Sequence, residues 1–122
     1  MTKNVLMVGW HPSAVDYSKY PGLTAQMLAD GISAEEAALA QEGFTARTEY
    51  IHSVDTAADQ LTNALKDTVF DVVLIGAGVR RNDDHFLTFE ALVNVVHEHA
   101  PAARIAFNSS PKDSADAVRR WV

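Results

Sequence analysis

Four short runs rich in branched apolar residues recur along the chain, NVLMVG, ARTEYIHSV, FDVVLIGAG and ARIAFN, and segments with helical spacing separate them. An apolar run of strand length bounded by turn residues reads as a strand, and strands alternating with helix-length segments leave few folds open. The order is βαβαβαβα. In TAQMLADGISAEEAALAQEG the apolar positions Met27, Leu28, Ile32 and Leu39 share a face, which predicts a helix from about Thr24 to Glu42 that tolerates Gly31 and stops at Gly43. The competing reading breaks it at Gly31, with Ser33 and Glu36 as a new capping box. Asp55 is expected to cap a second helix built on Ala58, Leu61 and Leu65. DDHFLTFEALVNVVHEHA predicts a third, with Phe86, Phe89, Val93 and Val96 as its apolar stripe and Pro101 at its end. Ser110, Pro111 and Asp113 then stand as N-cap, N1 and N3 of a last helix ending near Trp121.

The first and third runs are apolar on both faces, as strands in the middle of a parallel sheet must be when helices cover both sides. RTEYIHSV alternates charged and apolar residues and suits an edge. The expected architecture is a single three-layer α/β/α domain over 1–122, with a four-stranded parallel sheet of order 2-1-3-4 joined by right-handed crossovers. This arrangement resembles the flavodoxin-like and Rossmann-like folds over the whole chain.

Composition narrows the chemistry. Without cysteine, disulfides, thiolate zinc sites and cysteine nucleophiles are excluded together. A formal net charge of −6, with the arginines in small groups, gives no broad basic surface for nucleic acid. The opening MTKNVLMVGW is too short an apolar run for an export signal or a membrane span, so a cytoplasmic protein without membrane contact is expected.

In an open doubly wound sheet, ligands bind beyond the carboxyl ends of the strands where the strand order reverses, here between the first and third strands. That rule selects two loops. GWHPSAVDYSKYPGLT, residues 9–24, is far longer than an ordinary connection and is a candidate lid, with Tyr17 and Tyr20 as closing or anchoring groups. In GAGVRRNDD, Gly76 and Gly78 permit a tight turn or close approach, and Arg80 and Arg81 supply planar donors for a phosphate or carboxylate, or pair with Asp83 and Asp84. The fourth strand adds Asn108 and Ser109 before the last helix. His11 follows the first strand directly and is the candidate acid–base group, a turn role being its alternative. Trp10 is expected to pack. Glu90, Asn94 and His97 form a polar margin on the third helix, and His97 and His99, two apart on a helix, point too far apart to share one metal ion within a chain.

Particular families within this architecture are tested by their motifs. A response-regulator receiver needs acidic residues where Gly9, Trp10 and His11 stand. The serine- and threonine-rich phosphate loop of flavodoxins finds hydroxyls in HPSAVDYSKYPGLT beside two prolines and bulky side chains, so the cofactor, flavin included, stays unassigned. Neither GWHPSA nor GAGVRR completes a G-x-G-x-x-G fingerprint. The stretch from Asp71 to Phe107 is similar to the strand, Gly-x-Asn-Asp loop and helix of SGNH esterases, but their serine block has no counterpart in GWHP and no histidine follows His99. Two functions are therefore expected to compete. One is binding of an anionic small molecule at the crevice by Gly76, Gly78, Arg80, Arg81, Asn108 and Ser109, with His11 catalytic if the protein is an enzyme. The other is a homodimeric interaction protein that uses the fourth strand and the second apolar face of the third helix, Leu87, Ala91 and Val95.

Overall fold

A computed structural model describes residues 2–122. Four strands, β1 (Asn4–Trp10), β2 (Thr45–Ile51), β3 (Val72–Ile75) and β4 (Arg104–Phe107), form one parallel sheet of order β2-β1-β3-β4. Val5 pairs with Ala46 on one side and Val72 on the other, and Val72 pairs with Arg104. Val5 to Val8 and Val72 to Ile75 are buried without interruption, which is why these two strands hold the centre.

Helices cover both faces. Leu6, Val8, Trp10, Val73 and Ile75 pack against α2 (Ala57–Asp67) and α4 (Phe86–His99), through Leu61, Leu65, Leu92 and Val96. Val5, Met7, Leu74 and Ala106 pack on the other face against α1 (Ala25–Gln41) and α5 (Ser114–Arg119), through Leu39, Ala117 and Val118. Burying each of the Val, Leu, Ile and Met side chains among these stabilises the fold by about 1.5–3 kcal/mol. The result is the expected three-layer α/β/α architecture, a flavodoxin/Rossmann-like fold.

The helix ends follow local chemistry. Thr24 caps α1 by accepting from Met27 N at 3.1 Å, the helix runs through Gly31 unbroken, and Gly43 (φ 90°) turns the chain out of it. Ser110 and Asp113 take the expected N-cap and N3 positions and form a capping box, but what it opens is a 3₁₀ turn at Pro111–Asp113 ahead of α5. Three details differ from expectation. The cap position of α2 is Thr56, one residue past Asp55, and its hydroxyl meets Ser53 Oγ at 2.9 Å. Met27 lies 55% exposed outside the α1 stripe. On α4 the buried positions are Leu92 and Val96, while Phe86 turns outward because a 3₁₀ turn, Asp83–His85, sets where the helix begins. Among the described residues no helix is long and apolar enough to cross a membrane, and no group of three or more His, Asp or Glu side chains is arranged to hold a metal ion.

Candidate functional site

Beyond the carboxyl ends of β1 and β3 lies a crevice of about 520 Å³. Its outer wall is the long loop after β1, folded into two 3₁₀ turns, Pro12–Ala14 and Tyr17–Lys19. Val15, Lys19, Tyr20 and Leu23 of that loop face Leu28, Ile32 and Glu35 of α1, with Met7, Thr48 and Leu74 of the sheet beneath. The loop is held in place by its own groups: Tyr17 Oη donates to Pro12 O at 2.5 Å, and Lys19 forms an ion pair with Asp84 on the loop after β3. Tyr17 thus anchors the loop, while Tyr20 lines the crevice.

The second wall is GAGVRRNDD. Residues Ala77–Arg80 form a single helical turn, α3, with Gly76 at its start. Gly76 has an ordinary negative φ (−69°), so its need is closeness rather than a special conformation: a Cβ there would stand 3.3 Å from Val8 O. Trp10 packs in the core, and its Nε1 donates to Gly78 O at 3.3 Å, which pins α3 against the end of β1.

Of the residues marked in the sequence, Gly76, Gly78 and Asn108 line the crevice together. Arg80 and Arg81 turn toward the strand end behind it, Arg80 Nη2 donating to Asn108 O at 2.7 Å and Arg81 Nη1 to Ser109 O at 3.3 Å. Ser109 is bound to Asp113, its hydroxyl donating at 2.5 Å, and this bond leads the contacts that hold the Asp113 carboxyl below its usual pKa. His11 packs on the β2 side, its ring stacked on His52 at 4.7 Å and edge-on to Tyr50 at 5.6 Å, with Nδ1 2.8 Å from Ser13 Oγ. The structure therefore divides the candidates into a crevice group, a supporting arginine pair and a separate histidine cluster. The hydroxyls of Ser13 and Ser18 are directed at His11 and Asp16.

The polar floor joins Asn108 to two residues that the sequence did not mark, Ser114 and Glu35. Ala77 N–H donates to Asn108 Oδ1 at 2.8 Å, Asn108 Nδ2 donates to Ser114 Oγ at 2.9 Å, and Ser114 Oγ donates to Glu35 Oε1 at 2.5 Å. Four elements meet in this chain of bonds, and Asn108 and Ser114 within it are buried. Burial among apolar walls pushes the Glu35 carboxyl up from 4.5 to about 7; the Ser114 bond opposes the rise, and Glu36 and Asp113 add to it. A signal for Glu35 existed. Leu28, Ile32, Glu35 and Leu39 follow one another by four, three and four residues, so an acid stands on the apolar stripe of α1 where a hydrophobic residue is the default. Thr48 Oγ1 and His85 Nδ1, whose residues also line the crevice, are buried without a hydrogen-bond partner.

Fold and site together define a class: a flavodoxin/Rossmann-like domain with a mostly apolar crevice at its switch point, floored by one carboxyl–hydroxyl–amide chain. Comparison with models of known protein families and with curated proteins finds no match to this sequence.

Proposed function

We propose that the protein binds a small, uncharged, mostly apolar molecule in the crevice between the loop after β1 and helix α1. The observation that carries this reading is the convergence of the Glu35–Ser114–Asn108 chain on a crevice whose other walls are Met7, Val15, Leu23, Leu28, Ile32 and Leu74. Apolar walls with a few converging polar groups and one perturbed carboxyl are the usual composition of a ligand site, and the volume falls within the usual range of roughly 300–1,000 Å³.

The sequence favoured an anion, and its placement now needs a specific rearrangement. Glu35 and Asp16 line the crevice, Lys19 is paired with Asp84, and both guanidinium groups expected to hold the anion are bonded to backbone carbonyls. An anionic ligand at Arg80 and Arg81 would have to replace those carbonyls. His11, in its cluster with His52 and Tyr50, would act on a ligand only from the β2 side of the loop.

Fluorescence titration separates these cases. A neutral apolar dye such as Nile red is expected to bind the wild-type protein. Leu28→Trp, which fills the crevice, is expected to weaken it by roughly tenfold or more, whereas Arg80→Ala with Arg81→Ala should leave it within about twofold. Full binding by folded Leu28→Trp would rule out the crevice. An anionic naphthalene sulfonate bound more tightly than the neutral dye, and lost with the arginines, would restore the anion reading.

A second reading concerns assembly. At the start of α4, Phe86 and Leu87 are 57% and 73% exposed, and β4 leaves one edge of the sheet unpaired by another strand. These two features favour a homodimer face beside the crevice, independent of what the crevice holds.

A further inference from the structure

We propose that Glu35 serves the crevice as a hydrogen-bond donor, with the proton on its outer carboxyl oxygen, and that the ligand it selects is an uncharged, mostly apolar molecule bearing a carbonyl-type acceptor. This rests on the crevice being the binding site and adds the chemistry of its floor.

The direction of the hydrogen-bond chain assigns the proton. A backbone N–H can only donate, so the bond from Ala77 N fixes the Asn108 oxygen toward α3 and leaves Nδ2 as the donor to Ser114 Oγ. The hydroxyl of Ser114 has one hydrogen, and with Glu35 Oε1 at 2.5 Å against Pro111 O at 3.5 Å it goes to Glu35. Oε1 is therefore an acceptor, and a proton on this carboxyl resides on Oε2. Asn108 and Ser114 are buried, and reversing the Ser114–Glu35 bond would leave the Ser114 hydrogen only the long 3.5 Å contact to Pro111 O.

The walls favour keeping that proton. Leu28 and Ile32 flank Glu35 on its own helix, with Met7 and Leu74 on the sheet. The charged and titratable groups around it are mainly acidic: Glu36 on α1, Asp113 before α5, Tyr50 on β2 and Asp16 on the loop. Lys19, the one cation in the lining, is tied to Asp84, and His85 stands across the crevice against Trp10. Nothing in the lining neutralises an ionised Glu35, in keeping with its raised pKa of about 7. A neutral carboxyl donates one hydrogen bond, and Leu28, Ile32, Met7 and Leu74 line the space around it. One donor among apolar walls is matched by a carbonyl oxygen on an apolar body.

The test uses 6-propionyl-2-(dimethylamino)naphthalene, a neutral fluorophore whose emission responds to hydrogen bonding at its ketone, beside 2-(dimethylamino)naphthalene, which has the same ring system without the carbonyl. With the wild-type protein, the ketone should bind roughly tenfold more tightly at about pH 5.5 than at about pH 8.5, and the carbonyl-free ring should show no such dependence. Glu35→Gln keeps an oxygen for Ser114 and an N–H for the ligand, so it should bind the ketone with equal affinity at both pH values. A ketone affinity that does not change with pH, while Leu28→Trp still abolishes binding, would overturn this inference and leave the crevice reading standing. An affinity that rises with pH would likewise overturn it, because an ionised carboxylate has no hydrogen to donate to the ketone. Failure of both probes to bind at either pH would overturn the inference together with the crevice reading.

Discussion

A carboxyl placed on the apolar stripe of a helix lowers stability whenever it ionises, and Glu35 makes that cost measurable. Folding raises its pKa from 4.5 to about 7, so the folded chain holds the proton more tightly than the unfolded chain does. Between those two values unfolding releases a proton; stability therefore falls as pH rises through this window and is level above it. Glu35→Gln removes the titration and keeps the bond to Ser114. Urea unfolding should find the variant more stable than wild type near pH 8 by on the order of 1–2 kcal/mol, after allowing for partial solvent access, with the gap closing toward pH 5. A gap that stays constant with pH would show that Glu35 is not the titrating group. The same residue marks what a sequence hides. Its position on the Leu28–Ile32–Leu39 stripe was readable, but the partner that orients it, Ser114, lies 79 residues away and becomes a neighbour only when α1 and α5 pack on the same face. Asn108 was readable because it ends a strand at the switch point. The arginines were readable as donors, but their acceptors, the carbonyls of Asn108 and Ser109, were not, because backbone carries no signature in sequence.

Elements were legible in proportion to their length and apolar continuity. The four strands and their order follow from two runs buried on both faces and two that are not, and α1 follows from a stripe sustained over four turns. α3 escaped because four residues make too short a period to detect, and GAGVRR reads as a turn until Trp10 and Asn108 are seen to hold it. The loop after β1 was recognised by length alone, yet its closure depends on one long-range pair, Lys19 with Asp84. Both side chains are well exposed, so the pair contributes little to global stability and acts on the local mobility of the loop. Asp84→Asn should therefore raise the rate of trypsin cleavage after Lys19 by about two- to fivefold at low salt. Wild-type protein at about 1 M salt should approach the variant, because screening removes the same attraction. Equal rates in the two proteins at low salt would mean that Tyr17 and the 3₁₀ turns close the loop without the latch.

At the scale of the whole molecule, the sheet has two unlike edges. β2 carries Arg47 and Glu49 on the face opposite Thr48, which discourages strand addition, whereas β4 is Arg-Ile-Ala-Phe with one charge at its start. The chain's own C-terminus protects β4 only in part. Val118 is buried against the sheet face, Arg120 Nη2 donates to Phe107 O at 2.9 Å, and Trp121 remains half exposed rather than lying over the edge. Beside that edge, α4 presents Leu87 and Ala91 outward, while Val95, expected to share their face, packs partly into the core. Val95→Asp would thus damage folding and association together, so Leu87→Asp is the discriminating change. If two chains pair through α4 and β4, sedimentation at micromolar concentration should find wild type as a dimer and Leu87→Asp as a folded monomer. The association should weaken by roughly tenfold or more, since a charge replaces a side chain at the centre of the apolar patch. Dye binding in the crevice should survive in the monomer, because none of its lining residues lies on the outward face of α4. A wild-type protein that sediments as a monomer would remove the dimer reading, and loss of dye binding on dissociation would instead make the crevice a property of the assembled pair.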